Sequence, residues 1–207
     1  ALQEELKLPR DWYSKLDIES DKELWLASMG IYIFNRKTIL ELLDNGHTDF
    51  GKHIIPGAIK THKLSSYVFQ GYWEDVGTIK AFFDANLDLT SNLPKFNFFD
   101  MESPVFTRPR FLPASKVNGG IIENSLLPDG CIVHKARLKD CMLGIRSIVG
   151  ADTDMERVVM MGGDYYESLE SINKHQEEGK PSIGIGARSR VVNAIIDKNA
   201  RIGSDCV

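Results

Sequence analysis

The final stretch of the chain, IGIGARSRVVNAIIDKNARIGSDCV (residues 183–207), has a repeat that indicates a particular kind of fold. Ile185, Val191, Ile196 and Ile202 recur at steps of six or five, with small or polar residues between them. Glycine or aspartate follows an aliphatic residue in IGIGAR, IIDKNA and IGSDCV. A period of about six residues is typical of a hexapeptide β-helix, in which three short strands make one triangular coil.

The same period continues towards the middle of the chain. Its earlier aliphatic positions are Leu127, Val133, Leu138, Leu143, Val149 and Met155. The alternative is an irregular all-β sandwich with accidental spacing, and the near-regular positions favour the β-helix over it. The polar stretch at 162–182 interrupts the repeat, so we predict a loop ejected from one corner.

The first part of the chain alternates strand and helix patterns. Residues 24–34, LWLASMGIYIF, are apolar on both faces and predict a strand in the middle of a sheet, and 66–73 predict another. Three helices are expected: at 37–44 before Asn45-Gly46, after an Asp49 N-cap with Pro56 inside it, and after a Thr78 cap. These signals predict a layered α/β domain.

Four prolines between residues 91 and 116 predict an extended connector between the two patterns. We therefore predict an α/β domain portion at 1–92, a connector at 93–118 and a β-helix domain at 119–207 with its loop near 162–182.

Composition excludes several classes of function. The formal net charge is −4 and no basic run occurs, so nucleic acid is not an expected partner. No apolar run approaches the roughly 18 residues of a membrane span. The three cysteines form no CxxC pair and are expected to be reduced, as in intracellular proteins. The chain begins with Ala1 and a polar stretch without a signal-peptide pattern, and we expect it to be part of a longer protein.

Six motifs occur in an order that resembles one enzyme family across nearly all of the chain from about residue 24. They are ASMGIYIF (27–34), DFGKHIIPGAI (49–59), GYWEDVGTIKAFFDANLDL (71–89), PRFLPASK (109–116), MMGGDYYE (160–167) and IIDKNARIG (195–203). The chain resembles the glucose-1-phosphate adenylyltransferases, also called ADP-glucose pyrophosphorylases. The resemblance implies a nucleotidyltransferase domain of dinucleotide-binding type followed by a left-handed β-helix.

The resemblance also implies a reaction and partners. ATP and glucose 1-phosphate would give ADP-glucose and pyrophosphate with Mg²⁺, in glycogen or starch synthesis. A phosphate oxygen of the sugar phosphate attacks the α-phosphorus, and positioning and charge neutralisation supply the rate. Homo- or hetero-tetramers and anionic metabolite effectors are expected, in a bacterial cytoplasm, or in a plastid if the source is a plant.

The resemblance assigns Asp75, in WEDVG, as the catalytic carboxylate that binds the metal. Read from the residues alone, Asp75 is more simply a cap for the helix that starts near Thr78. Trp73 is either part of the core or an apolar wall against the glucose ring. Ser28 either contacts glucose 1-phosphate or is a buried hydroxyl bonded to a backbone carbonyl. Asp49 and Phe50 match sugar-side positions of the family, with a plain N-cap as the alternative for Asp49.

Three basic residues match the family's effector site between its two domains. They are Lys198, Arg108 and Arg110, and guanidinium groups suit bidentate phosphate recognition. Solvated corner or connector charges are the alternative. The histidines show no metal-ligand spacing, so His134 and His175 are expected to be structural or exposed.

Two family motifs are absent from the 207 residues: a glycine-rich loop of the form GGxGTRL and an EKP-type sugar-phosphate motif. We therefore expect the isolated chain to be inactive. Two alternatives remain open, a non-catalytic regulatory subunit of the same family and a hexapeptide-repeat acyltransferase.

Overall fold

The computed structural model describes residues 7–207, so the start of the predicted first domain, residues 1–6, lies outside the described residues. The chain divides into two compact units, one ending at Trp73 and the other running from Glu74 to Val207. Helix Ile79–Asp88 belongs to the second unit, because its Phe83 ring lies under the Arg157 guanidinium, 5.7 Å from the centroid. The domain boundaries predicted above stay predictions.

The described residues contain short helices only. They are α-helices Arg10–Lys15, Arg36–Leu43, Ile55–Thr61, Ile79–Asp88 and Leu169–Glu177, with a π-helical turn at Phe50–Ile54. Within residues 7–207, none of these helices has the length and apolar character needed to cross a membrane.

The predicted helix signals are confirmed. The Asp49 carboxylate accepts the Lys52 N–H at the start of the π-helical turn, and Thr78 accepts the Ala81 N–H at the start of Ile79–Asp88. Each side chain thereby satisfies one of the donors that a helix start leaves free. Helix Arg36–Leu43 ends before Gly46, which has a φ of +74°.

The two strands predicted in the first part do not form. Residues 24–34 make only an isolated antiparallel bridge, between Lys7 and Trp25, and Ile33 is 98% exposed. Residues 66–73 are also outside any strand, and Tyr67 is 88% exposed. A central strand needs hydrogen-bonding neighbours on both sides. The described part of the first unit supplies none beyond this bridge, so the apolar pattern was insufficient to predict the strands.

The second unit is a parallel β-helix, as the repeat predicts. Its strands are β1 Lys116–Glu123, β2 Ile132–Lys139, β3 Met142–Leu143, β4 Ile148–Val149, β5 Asp154–Met160, β6 Gly184–Ile185, β7 Arg190–Ile196 and β8 Arg201–Ile202. Every pairing between these strands is parallel. Except where the stretch 162–182 lies between them, paired positions on successive coils are 16 or 17 residues apart, close to three hexapeptides.

The long strands turn a corner of the triangle within their own length. Strand β2 pairs with β4 through residues 132–133 and with β5 through 137–139. Between these segments, Lys135 has a φ of +41°, and Arg157 and Asn193 have comparable values in β5 and β7. Left-handed backbone conformations are unfavourable for residues other than glycine and asparagine. The packing of the stacked coils therefore has to stabilise the corners at Lys135 and Arg157.

The aliphatic ladder fills the inside of the coils. Val133, Val149, Ile185 and Ile202 are in register along β2, β4, β6 and β8. The other predicted positions also lie in this core or pack against it: Leu127, Leu138, Leu143, Met155, Val191 and Ile196. Burial of this continuous apolar column is the main stabilising contribution to the unit.

The interruption at 162–182 is an ejected loop, as predicted. It contains helix Leu169–Glu177, capped by the Ser168 hydroxyl, which accepts the Ser171 N–H. Paired positions of β5 and β7 are consequently 36 residues apart, whereas those of β2 and β5 are 17 apart. The chain returns to the coil at Gly184, where an added Cβ would lie 2.5 Å from the Ile148 carbonyl oxygen. Only glycine fits that position.

Candidate functional site

A surface cleft of about 820 Å³ lies in the first unit. Its lining residues are Gly30, Tyr32, Phe34, Ile39, Thr48, Asp49, Phe50 and Gly51. The Tyr32 and Phe50 rings stack with centroids 5.7 Å apart, and Phe34 lies edge-on to Phe50 at 6.1 Å. Aromatic surface with a few polar groups is typical of small-molecule sites.

Ser28 reaches this cleft through Tyr32. The two hydroxyl oxygens are 2.9 Å apart, and Ser28 Oγ also accepts the Gly30 N–H at 3.2 Å. The alternative of a buried Ser28 bonded to a backbone carbonyl is wrong, because Ser28 is exposed and the chain turns at Gly30, which has a φ of +73°. Tyr32 was not singled out from the sequence, although residues 28 and 32, an even number of positions apart, share one face of the strand predicted at 24–34.

Asp49 and Phe50 both line the cleft. Asp49 Oδ1 accepts the Lys52 N–H at 2.8 Å, and Oδ2 lies 3.8 Å from the Lys52 ammonium. The backbone hydrogen bond from Lys52 is the main reason that the pKa of Asp49 lies below its ordinary value. Asp49 is therefore an N-cap and an ionised carboxylate at the cleft at the same time.

Trp73 is outside the cleft lining. Its side chain is 42% exposed at the end of the first unit. An exposed indole of this size is available for contact with a ligand, whereas the core interpretation of Trp73 is not supported.

Asp75 does not cap the helix that follows it. Its Oδ1 accepts the Gly77 N–H at 2.9 Å, while Thr78 Oγ1 accepts the Ala81 N–H at 3.1 Å. The cap interpretation of Asp75 is therefore wrong, because Thr78 lies directly before the first turn and Asp75 forms a local Asx turn instead.

One exposed carboxylate fits a Mg²⁺ ion only as part of a larger shell. Magnesium is commonly held by one or two carboxylates together with substrate phosphates and waters. Among residues 7–207, no three His, Cys, Asp or Glu side chains are grouped closely enough to hold a metal by themselves. Asp75 is thus compatible with a shared, substrate-completed site.

The predicted effector residues differ in their surroundings. Lys198 Nζ lies 2.9 Å from Asp164 Oδ1, and Asn199 Nδ2 donates to Asp164 Oδ2 at 2.9 Å. The hydrogen bond from Lys198 is the first cause of the lowered pKa of Asp164. Arg108 and Arg110 are exposed, and neither pairs with a carboxylate within the described part of the chain.

The histidines of the β-helix have structural partners. His134 Nδ1 lies 2.9 Å from Asn118 Nδ2, and His175 Nδ1 lies 2.9 Å from Glu167 Oε1. This agrees with the expectation that they are structural. Asp164 and Glu167, which bind basic residues of the next coil, were not singled out from the sequence; both stand in the motif MMGGDYYE.

Two family models match successive parts of the chain. Residues 20–92 match the model of the nucleotidyl transferase family, and residues 110–207 match that of the GLGC left-handed parallel β-helix domain. The chain is 42% identical over 192 residues to glucose-1-phosphate adenylyltransferase large subunit 1, chloroplastic/amyloplastic, of Zea mays. This match covers 91% of the chain and 37% of the maize protein, so the chain spans little more than a third of that relative. With both domain types in order and this degree of identity, the chain belongs to the glucose-1-phosphate adenylyltransferase family.

Proposed function

We propose that the chain supplies the sugar-phosphate side of an enzyme that makes ADP-glucose and pyrophosphate from ATP and glucose 1-phosphate, in glycogen or starch synthesis. The observation that carries this proposal is the cleft, where Asp49 and Phe50 meet Tyr32, which is bonded to Ser28. The family membership supports the reaction class, and the cleft supports the part assigned to this chain.

Each residue of the cleft has a role that follows from its chemistry. Asp49 Oδ2 accepts hydrogen bonds from sugar hydroxyls, while Oδ1 continues to accept the Lys52 N–H of the helix cap. The stacked rings of Phe50 and Tyr32 cover an apolar face of the sugar. Ser28 and Tyr32 form a hydroxyl pair that orients a polar group of the substrate. We propose that Trp73 adds a second apolar wall.

Asp75 is proposed to hold Mg²⁺ together with substrate phosphates. When bound, the ion neutralises charge on the phosphate oxygens. The contribution of the protein at Asp75 is orientation, because the Gly77 N–H fixes one oxygen of its carboxylate.

Lys198, Arg108 and Arg110 are proposed to bind anionic effectors. An anion approaching Lys198 has to compete with Asp164, whereas Arg108 and Arg110 are already exposed. A homo- or hetero-tetramer is proposed for the whole protein, in a plastid or a bacterial cytoplasm.

A second candidate is a non-catalytic subunit of the same family. The observation that favours it is the similarity to a maize protein named as a large subunit. Turnover of the complete protein alone would support the catalytic proposal. The regulatory candidate would be supported if turnover appears only after a second subunit is added. That turnover should then survive Asp75→Asn in the subunit that contains this chain.

The cleft is tested in the complete enzyme with Asp49→Asn. Asparagine caps helices about as well as aspartate. We therefore expect an unchanged melting temperature, an unchanged KM for ATP, and a KM for glucose 1-phosphate raised on the order of tenfold, as for loss of one charged hydrogen bond. Asp44→Asn, on an exposed residue at the end of helix Arg36–Leu43, is the matched control. Equal KM values in the two variants would refute the assignment of Asp49.

A further inference from the structure

Glu167 is a nearly buried carboxylate in an otherwise exposed loop. Its side chain is 4% exposed, whereas Tyr165 and Leu169 on either side are 54% and 79% exposed. Removing a carboxylate from water is unfavourable unless hydrogen bonds and opposite charge replace the lost hydration. The sugar-phosphate cleft and the proposed metal site make no use of this group.

Three donors from separate segments meet at the Glu167 carboxylate. Arg201 Nη2 on β8 lies 2.7 Å from Oε1, and His175 Nδ1 in the last turn of the loop helix lies 2.9 Å from the same oxygen. The Ile183 N–H, where the loop rejoins the coil, donates to Oε2 at 2.6 Å. Arg201 Nη1 also donates to the Pro181 carbonyl at 2.9 Å. One carboxylate therefore connects both ends of the loop, its helix and the next coil.

Apolar packing contributes little to the attachment of the loop. Helix Leu169–Glu177 has no buried residue. The other contacts between the loop and the coils are hydrogen bonds, an ion pair and a ring contact. Tyr166 Oη donates to the Gly130 carbonyl at 2.8 Å, the Arg146 guanidinium lies over the Tyr166 ring at 5.8 Å, and Asp164 pairs with Lys198 and bonds Asn199. Segments with few buried apolar contacts open more easily than the core to which they are attached.

We propose that residues 164–182 form a strap that opens and closes on the β-helix as a unit, with Glu167 as its latch. The strap includes Asp164, so its opening removes the internal counter-ion from Lys198. An effect on anion binding rests on the effector role proposed for Lys198. The strap and its latch do not depend on that role.

The test is amide hydrogen exchange of the 207-residue chain. In Glu167→Gln, which keeps the side-chain shape and removes the charge, we expect exchange at residues 165–183 to be faster by on the order of tenfold or more. The amide of Ile183 should respond most directly, since Glu167 is its acceptor. Strands β2 and β5 should exchange at the wild-type rate. The control is Glu170→Gln in the loop helix Leu169–Glu177, which changes an exposed carboxylate without an ion pair among the described residues and should behave as the wild type.

Unchanged exchange of the strap in Glu167→Gln would overturn the proposal. If circular dichroism shows that this variant does not fold, native-state exchange of the wild-type chain in low denaturant takes its place. Strap amides that exchange at lower denaturant than β2 and β5 support the proposal. Exchange of the strap only together with these strands overturns it.

Discussion

Asp49 and Asp75 each use one carboxylate oxygen for local backbone structure. Asp49 accepts the Lys52 N–H and Asp75 accepts the Gly77 N–H. Neither bond occupies the whole carboxylate, so a local role does not exclude a ligand. Lys198 differs from these two carboxylates, because its ammonium group already forms an ion pair with Asp164 and a ligand has to compete with it.

Asp75→Asn separates the turn from the metal. Asparagine makes Asx turns as aspartate does, but it is a poorer Mg²⁺ ligand. In the complete enzyme we expect a near-normal melting temperature, a rate lowered on the order of a hundredfold or more, and a raised Mg²⁺ requirement. The measurements are thermal unfolding and turnover against Mg²⁺ concentration.

Thr78→Ala is the control for this prediction. It removes the helix cap at a cost of about 1 kcal/mol in the free energy of unfolding and should leave the Mg²⁺ requirement unchanged. Normal turnover of Asp75→Asn would show that the carboxylate serves only the turn.

Lys198→Ala should weaken activation by a phosphorylated metabolite in the complete enzyme while leaving turnover without activator nearly intact. Asn199 still bonds Asp164 in this variant, so the coil corner keeps its geometry. Activation curves measure the effect, with Lys174→Ala, on an exposed lysine of the loop helix, as the control. Parallel loss of both activities would indicate a structural role for Lys198.

Among the elements, the β-helix strands and the strap are stabilised by different forces. The strands are paired on successive coils over a column of buried aliphatic side chains. The strap contains a helix without any buried residue and is attached through polar contacts. Conditions that change the charge of Glu167 should therefore affect the strap before the strands.

The attachment of the strap should depend on pH in the acid range. Burial raises the pKa of Glu167, but hydrogen bonds from Arg201, Ile183 and His175 outweigh it, so this pKa lies below its ordinary value of 4.5. A lowered folded pKa contributes stability that is present above the ordinary value and lost as the pH falls through the folded one. The pKa of Arg201 is raised mainly by its hydrogen bond to Glu167, and Tyr165 makes a smaller contribution in the same direction.

We expect protection of the strap amides, corrected for intrinsic exchange rates, to decrease below about pH 4.5 in the wild type. Glu167→Gln has no carboxylate to protonate at this position and should show no such step. A step of equal size in both proteins would assign the pH dependence to another group.

The chain consists of two compact units that differ in their secondary structure. The second unit contains all eight named strands of the described residues, and the first contains the cleft with Asp49 and Phe50. The 207 residues include neither a GGxGTRL loop nor an EKP-type motif. Phosphate binding by a glycine-rich loop is therefore not expected of this chain alone.

We predict that the purified 207-residue chain does not release pyrophosphate from ATP, glucose 1-phosphate and Mg²⁺. Without backbone N–H groups to hold the triphosphate, the α-phosphorus is not positioned for attack. A coupled pyrophosphate assay measures this, with a full-length member of the family as the positive control. Turnover comparable to that control would contradict the prediction.

The sequence was sufficient to predict the β-helix, its ejected loop and the caps at Asp49 and Thr78. These features depend on short-range patterns: a hexapeptide period and a side chain that bonds a backbone group three residues later. The resemblance also indicated Asp49 and Phe50 as sugar-side residues; both line the cleft, and their roles stay predictions.

Other features depend on which segments meet in space. The apolar pattern at 24–34 predicted a central strand, but a strand forms only where neighbouring segments supply hydrogen-bond partners. The Ser28–Tyr32 pair depends on a turn at Gly30, and the Lys198–Asp164 pair joins residues 34 positions apart. The burial of Glu167 likewise requires Arg201, His175 and Ile183 to converge. Each of these contacts occurs once and does not recur at a fixed spacing, so these pairings were visible only in the folded chain.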